Sequence, residues 1–202
     1  MRAPFILVFI APFALACSTS SGSSSQADAS VPACALGFLG DPAKGVELKV
    51  VARDGTMSTE IAAGARVPLI LPPQGGRVIF IGVVATNISP CSIKLTGSFR
   101  DKTNQQVRVD ARTVNLQPRG DGWGESTDGD IATFSNVPMC PNQWASTDIY
   151  ENPFTLTITA TDPSGRTGTK TFDVTPYCAE PQYAAECACE CKKGYMLGQT
   201  CM

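Results

Sequence analysis

The sequence predicts an all-β fold: two antiparallel sheets packed face to face as a sandwich, followed by a small disulfide-rich tail. Three observations lead there. Between Val46 and Pro176 apolar residues recur at every second position, β-branched residues are abundant, and Gly, Pro, Asn and Asp punctuate the stretch at short intervals. No segment shows the periodicity of a helix of ordinary length, and seven or eight short strands in a body of this size are the pattern of a sandwich.

Taken in chain order, residues 1–16 place Arg2 before the apolar run APFILVFIAPFALA, which closes on Ala14-Leu15-Ala16. That is the layout of an export signal peptide. A spanning helix would need about twenty apolar residues and would be broken by Pro4 and Pro12. Residues 17–33, CSTSSGSSSQADASVPA, are dominated by serine and have no apolar periodicity. Nothing in them offsets the entropy of ordering, so they read as a tether with a reach on the order of 20 Å.

Cys17 stands at the seam between signal and tether. Ala16-Cys17 resembles a bacterial lipobox, in which the cysteine becomes the first mature residue and carries diacylglycerol, although Ala14 stands where that family favours Leu. Ordinary cleavage after Ala-x-Ala is the competing reading, and parity favours lipidation. Nine cysteines are present, and setting Cys17 aside leaves an even set: Cys34, Cys91, Cys140, Cys178, Cys187, Cys189, Cys191 and Cys201. Such a density belongs to an oxidising compartment. Ser18 is not the Asp that the resemblance associates with inner-membrane retention, so the expected address is the outer membrane, at its cell-surface or periplasmic face.

Residues 34–176 form the predicted sandwich. Val46, Leu48 and Val50 alternate with Glu47 and Lys49, and Ile93, Leu95 and Phe99 alternate with polar neighbours, as half-buried strands do. RVIFIGVVATNI differs, because Val78, Phe80 and Val84 on one face match Ile79, Ile81 and Val83 on the other, the pattern of a central strand covered on both sides. Further strands are expected near Val67–Leu71, Gln106–Leu116 and Ile131–Val137. The clearest element is the final hairpin, with Phe154, Leu156, Ile158 and Ala160 inward, a turn at Asp162-Pro163-Ser164-Gly165, and Phe172 and Val174 inward on return. Its sequence, FTLTITATDPSGRTGTKTFDVT, resembles the closing strands of bacterial immunoglobulin-like and hyalin-repeat domains. This likeness implies an Ig-like sandwich and is silent about activity.

Residues 177–202 form the cysteine-rich tail. Cys189-x-Cys191-x-x-Gly194-Tyr195 and Cys201 are similar to the second half of an EGF-like module, although too few cysteines precede them for a complete one. The resemblance implies a Cys191–Cys201 bridge, with Cys34–Cys187, Cys178–Cys189 and Cys91–Cys140 as the remainder. Eight cysteines admit roughly a hundred connectivities, so other pairings stay open. Tether, sandwich and tail together resemble lipoproteins of myxobacteria and their relatives, most of which have no assigned function.

Chemistry is sparse. The chain contains no histidine, which removes the commonest general base and the usual triads, and Ser126 in WGEST lacks the glycines of a nucleophile elbow. A formal charge of −2 with no basic run argues against nucleic acid. The expected role is non-catalytic, structural or ligand-binding display from the envelope, with no cofactor and with the membrane engaged through the N-terminal lipid. The partner, protein or glycan, stays open. Two alternatives have residues attached or implied. A carbohydrate-binding module would use the loop aromatics Trp123, Trp144 and Tyr150, although packing is the plainer use of such rings. An envelope hydrolase would need a pair of carboxylates in a cleft. RGDGWGESTDGD suggests calcium at Asp121, Asp128 and Asp130, although it lacks the EF-hand spacing. The tail cysteines lack zinc-ribbon spacing and favour disulfides over metal.

Overall fold

The computed structural model describes residues 34–201; the expected signal peptide, tether and lipid site at Cys17 lie outside the described residues. The strands are β1 (Glu47–Arg53), β2 (Ser58–Ile61), β3 (Arg66–Leu69), β4 (Arg77–Thr86), β5 (Ile93–Asp101), β6 (Val107–Val114), β7 (Gln117–Pro118), β8 (Trp123–Glu125), β9 (Ser135–Cys140), β10 (Phe154–Thr161) and β11 (Thr167–Cys178), followed by one short helix, α1 (Ala184–Glu190). One sheet runs β2-β1-β4-β8-β7, with β9 pairing the first half of β4 where β8 pairs its end. The other runs β3-β11-β10-β5-β6.

The main core lies between the sheets. Leu48 and Val50 of β1, Ile79, Ile81 and Val83 of β4, Leu95 and Phe99 of β5, and Leu156 and Ile158 of β10 meet there. Every residue of β4 is buried, and its second face explains how: Val78, Phe80 and Val84 join Val51, Ile70 and Phe134 in a separate outer cluster. The two-faced apolar pattern thus marks a central strand with a lid over its outer side. Burial alternates strictly along β10, and its outward threonines pair with those of β11, Thr157 with Thr171 and Thr159 with Thr169, each at 3.0 Å. In the connecting turn Asp162 accepts the Gly165 amide on its carbonyl at 2.9 Å and the Ser164 amide on its carboxylate, while Gly165 takes φ +87°, a conformation only glycine adopts cheaply.

Four features differ from expectation. The sandwich is not wholly antiparallel, since β3 pairs with the end of β11 in parallel. The stretch from Ile131 begins as a turn of 3-10 helix capped by the Asp130 carboxylate, and only Ser135 onward is strand. The tail contains α1 and is tied into the body: Cys187 and Cys191 are buried in the main core. Finally, all four bridges depart from the pairing that the EGF resemblance implies. They are Cys34–Cys91, Cys140–Cys191, Cys178–Cys187 and Cys189–Cys201. The reason is positional. Cys140 ends β9 beside Arg77, and loop amides there bond the tail, Asn142 to the Glu190 carbonyl and Ile149 to that of Cys191, each at 2.9 Å, which brings Cys191 to Cys140 rather than to Cys201.

The sandwich has two distinct poles. Cys34–Cys91 lies with Phe38, Ser89 and the β10–β11 turn around a cleft of about 390 Å³. The tail packs at the far ends of β10 and β11, where Glu151 bonds the Pro176 carbonyl. Eight residues of strand separate these ends, about 25 Å at the usual rise.

Candidate functional site

The outer face of the first sheet gathers more of the expected residues than any other described surface. The tight β7–β8 hairpin brings Trp123 there: its amide bonds the Asp121 carboxylate at 3.0 Å, and its carbonyl accepts the Arg119 amide at 2.8 Å. The ring is half-buried against the outer cluster, and the Lys49 ammonium lies 5.6 Å from its centre. Beside it, Ser58, Glu60, Arg119, Glu125 and Asp128 line a polar cleft of about 230 Å³. Each carboxylate is already engaged. Glu60 pairs with Lys49 at 3.6 Å, Glu125 with Arg119 at 3.4 Å, and Asp128 accepts the Ser58 hydroxyl at 2.5 Å. Such a surface presents fixed charges of both signs beside one aromatic ring, which suits recognition of a polar ligand.

The other aromatics are not there. Trp144 is buried in the main core, its ring N–H donates to the Met139 carbonyl at 2.9 Å, and it lies 5.5 Å from Phe154. Tyr150 packs against the same core, and burial, with the Asp148 charge, pushes its hydroxyl pKa upward. The set of Trp123, Trp144 and Tyr150 named for the carbohydrate-binding alternative is therefore corrected to Trp123 alone; the other two rings hold the loop between β9 and β10 onto the core, the plainer use of such rings.

The calcium reading is corrected as well. Asp121 bonds the Trp123 amide, Asp130 caps the 3-10 turn through the Ala132 amide, and Asp128 faces Ser58 and Arg53. These three carboxylates serve three separate local structures. Among the described residues no group of three or more His, Cys, Asp or Glu side chains is placed to hold a metal ion. Ser126 is buried, and its hydroxyl donates to the Thr133 carbonyl at 2.8 Å while accepting the Val83 amide.

One site was not visible in the sequence. Arg77, the first residue of β4, is only 1% exposed and faces Glu180, Glu186 and Glu190 of the tail at 3.7, 3.6 and 3.5 Å, with the Tyr183 ring 5.7 Å from its guanidinium carbon. Glu180 also accepts the Leu71 amide at 2.7 Å. The only sequence signal was three glutamates within eleven residues of a cysteine-rich tail, a pattern that usually means a solvated surface. Comparison of the chain with protein-family models, curated proteins and solved structures found no match.

Proposed function

We propose that this chain is an exported, lipid-anchored envelope protein with a non-catalytic display role, held by acyl groups on Cys17 and spaced from the lipid by its serine-rich tether. The observation that carries the reading is the complete pairing of the described cysteines. All eight are used in four bridges, which suits an oxidising compartment and offers Cys17 no partner within the described body. Acyl chains on one residue would anchor it firmly, each buried methylene adding about 0.8 kcal/mol.

Exposed Met196 and Leu197, in the loop closed by Cys189–Cys201, lie on the tail. Detergent phase partitioning tests the reading. The wild-type chain goes to the detergent phase, and Cys17→Ser moves it to the aqueous phase without changing its fold; equal partitioning of both would refute the anchor.

A second reading, glycan recognition, keeps support from the outer face alone, where Trp123 adjoins the charged cleft. Trp123→Ala would abolish binding on a glycan array if that reading is right.

A further inference from the structure

Among the described residues, β11 has a strand edge with no pairing partner over its first half. On one flank β11 pairs with β10 from Thr167 to Val174, but on the other it meets β3 only from Thr175 onward. The hydrogen-bond phase of that free half is fixed at both ends. Asp162 donates to the Arg166 carbonyl, so position 166 faces β10, whereas the Asp173 carbonyl faces outward and accepts the Gly64 amide at 2.8 Å. Alternation in an antiparallel ladder then turns the N–H and C=O groups of Thr167, Thr169 and Thr171 to the free edge. No described backbone group bonds them there.

Clefts of about 280, 310 and 370 Å³ follow one another along this edge, from Arg166 past Lys170 to Phe172. Their apolar lining includes Val46, Leu48, Ile61 and Phe172, with the Trp123 ring at the middle cleft, because β2 covers β1 only from Val50 onward and leaves its beginning open. Gly168 contributes no side chain; a Cβ there would lie 2.7 Å from Val46 and 2.9 Å from Leu48. Lys170 lines two of the clefts and has no ion-pair partner among the described residues.

We propose that this side is a strand-acceptor site, at which an extended segment of a partner protein adds to β11 through Thr167, Thr169 and Thr171. The pattern it selects follows from the side chains facing the trough: an apolar residue opposite Gly168, an acidic one opposite Lys170 and an apolar one opposite Phe172, with β-branched residues between them beside the outward threonines. A second copy of β11 fits poorly, since pairing about Lys170 sets like charges opposite each other and pairing about Thr169 supplies no acid. The serine-rich tether lacks the pattern too: its one acid, Asp28, has Gln26 and Ser30 at the flanking alternate positions. The site is independent of the proposed membrane address.

The probe is the blocked peptide acetyl-Thr-Val-Thr-Glu-Thr-Val-Thr-amide, added to the disulfide-intact chain and followed by amide hydrogen exchange. The expected result is protection of the Thr167, Thr169 and Thr171 amides at saturating peptide. Affinity should fall about five- to tenfold in Lys170→Glu and return when the peptide's Glu is replaced by Lys. Thr169→Pro removes an edge donor, which an edge strand tolerates, together with the exposed hydroxyl contact to Thr159, and should weaken binding while leaving the unfolding midpoint within a few degrees of wild type. Three outcomes would overturn the proposal: no protection at any peptide concentration, the result if Lys170 only guards the edge against pairing; binding indifferent to the charge swap; or protection that rises with protein concentration alone, which would mark self-association.

Discussion

The guanidinium of Arg77 and the carboxylate of Glu190 lie 3.5 Å apart where Arg77 is almost wholly buried, and neither Arg77 Nε nor Glu190 Oε2 makes a hydrogen bond among the described residues. This contact fastens the tail to the start of β4, the central strand of its sheet. Removing one partner from a buried pair leaves the other charge uncompensated. Arg77→Met keeps much of the volume and should lower stability by about 3 kcal/mol, toward the small end of the range for buried pairs because Glu186 is 44% exposed. Urea unfolding measures the loss, and hydrogen exchange should show it first at Ala184–Glu190.

Glu190 itself acts in the opposite sense. Burial raises its pKa, Arg77 opposes the rise and Glu186 adds to it, with a net upward shift. The folded chain therefore holds the proton more tightly than the unfolded chain, so this group favours folding as pH falls through the raised value and costs stability above it. Glu190→Gln leaves Glu180 and Glu186 facing Arg77, so its charge stays compensated, and the variant should stabilise the protein at pH 8, with the gain vanishing near pH 4. Thermal unfolding of both proteins across that range checks the sign.

Asp101 contributes with the reverse pH dependence. Burial pushes its pKa up, but the Ser146 amide and hydroxyl, with the Thr103 and Asn104 amides, outweigh this and hold it below the ordinary value. Its stabilisation is present above the unfolded pKa of about 3.9 and is lost as pH falls through the lowered folded value. Asp101→Asn should cost about 2 kcal/mol at pH 7, the scale for hydrogen bonds to a charged group, and much less below pH 3.

The two tryptophans should separate by assay. Trp144→Ala empties a core position and should cost about 3–5 kcal/mol by calorimetry. Trp123→Ala, at the half-exposed edge of the outer cluster, should leave the cooperative transition in place and is the informative variant in ligand assays.

Much of the sandwich was legible because burial and strand periodicity coincide. β10 alternates strictly, and the two apolar faces of β4 mark it as central, with Ile70 and Phe134 in the lid over its outer side. Short strands were not legible: β7 and β8 consist of Gln117-Pro118 and Trp123-Gly124-Glu125, too few residues to show a period. α1 spans seven residues with two cysteines, so disulfide spacing masked any helical pattern. The bridges depend on contacts between distant segments; Cys140 and Cys191 are 51 residues apart. For the candidate site, Trp123 and Asp128 were identified as residues, but their shared face was not, because β2 and β8 reach it from distant parts of the chain. Arg77 was missed because an arginine at a strand start ordinarily points to water.

The central claim is an acylated first residue on a fully cross-linked body. Intact mass spectrometry of the membrane-extracted protein, before and after thiol alkylation without reduction, tests both halves at once. The account predicts a chain beginning at Cys17, heavier by its acyl groups, with no alkylated cysteine. An unmodified chain beginning at Ser18 or later, or two or more alkylated thiols, would contradict it.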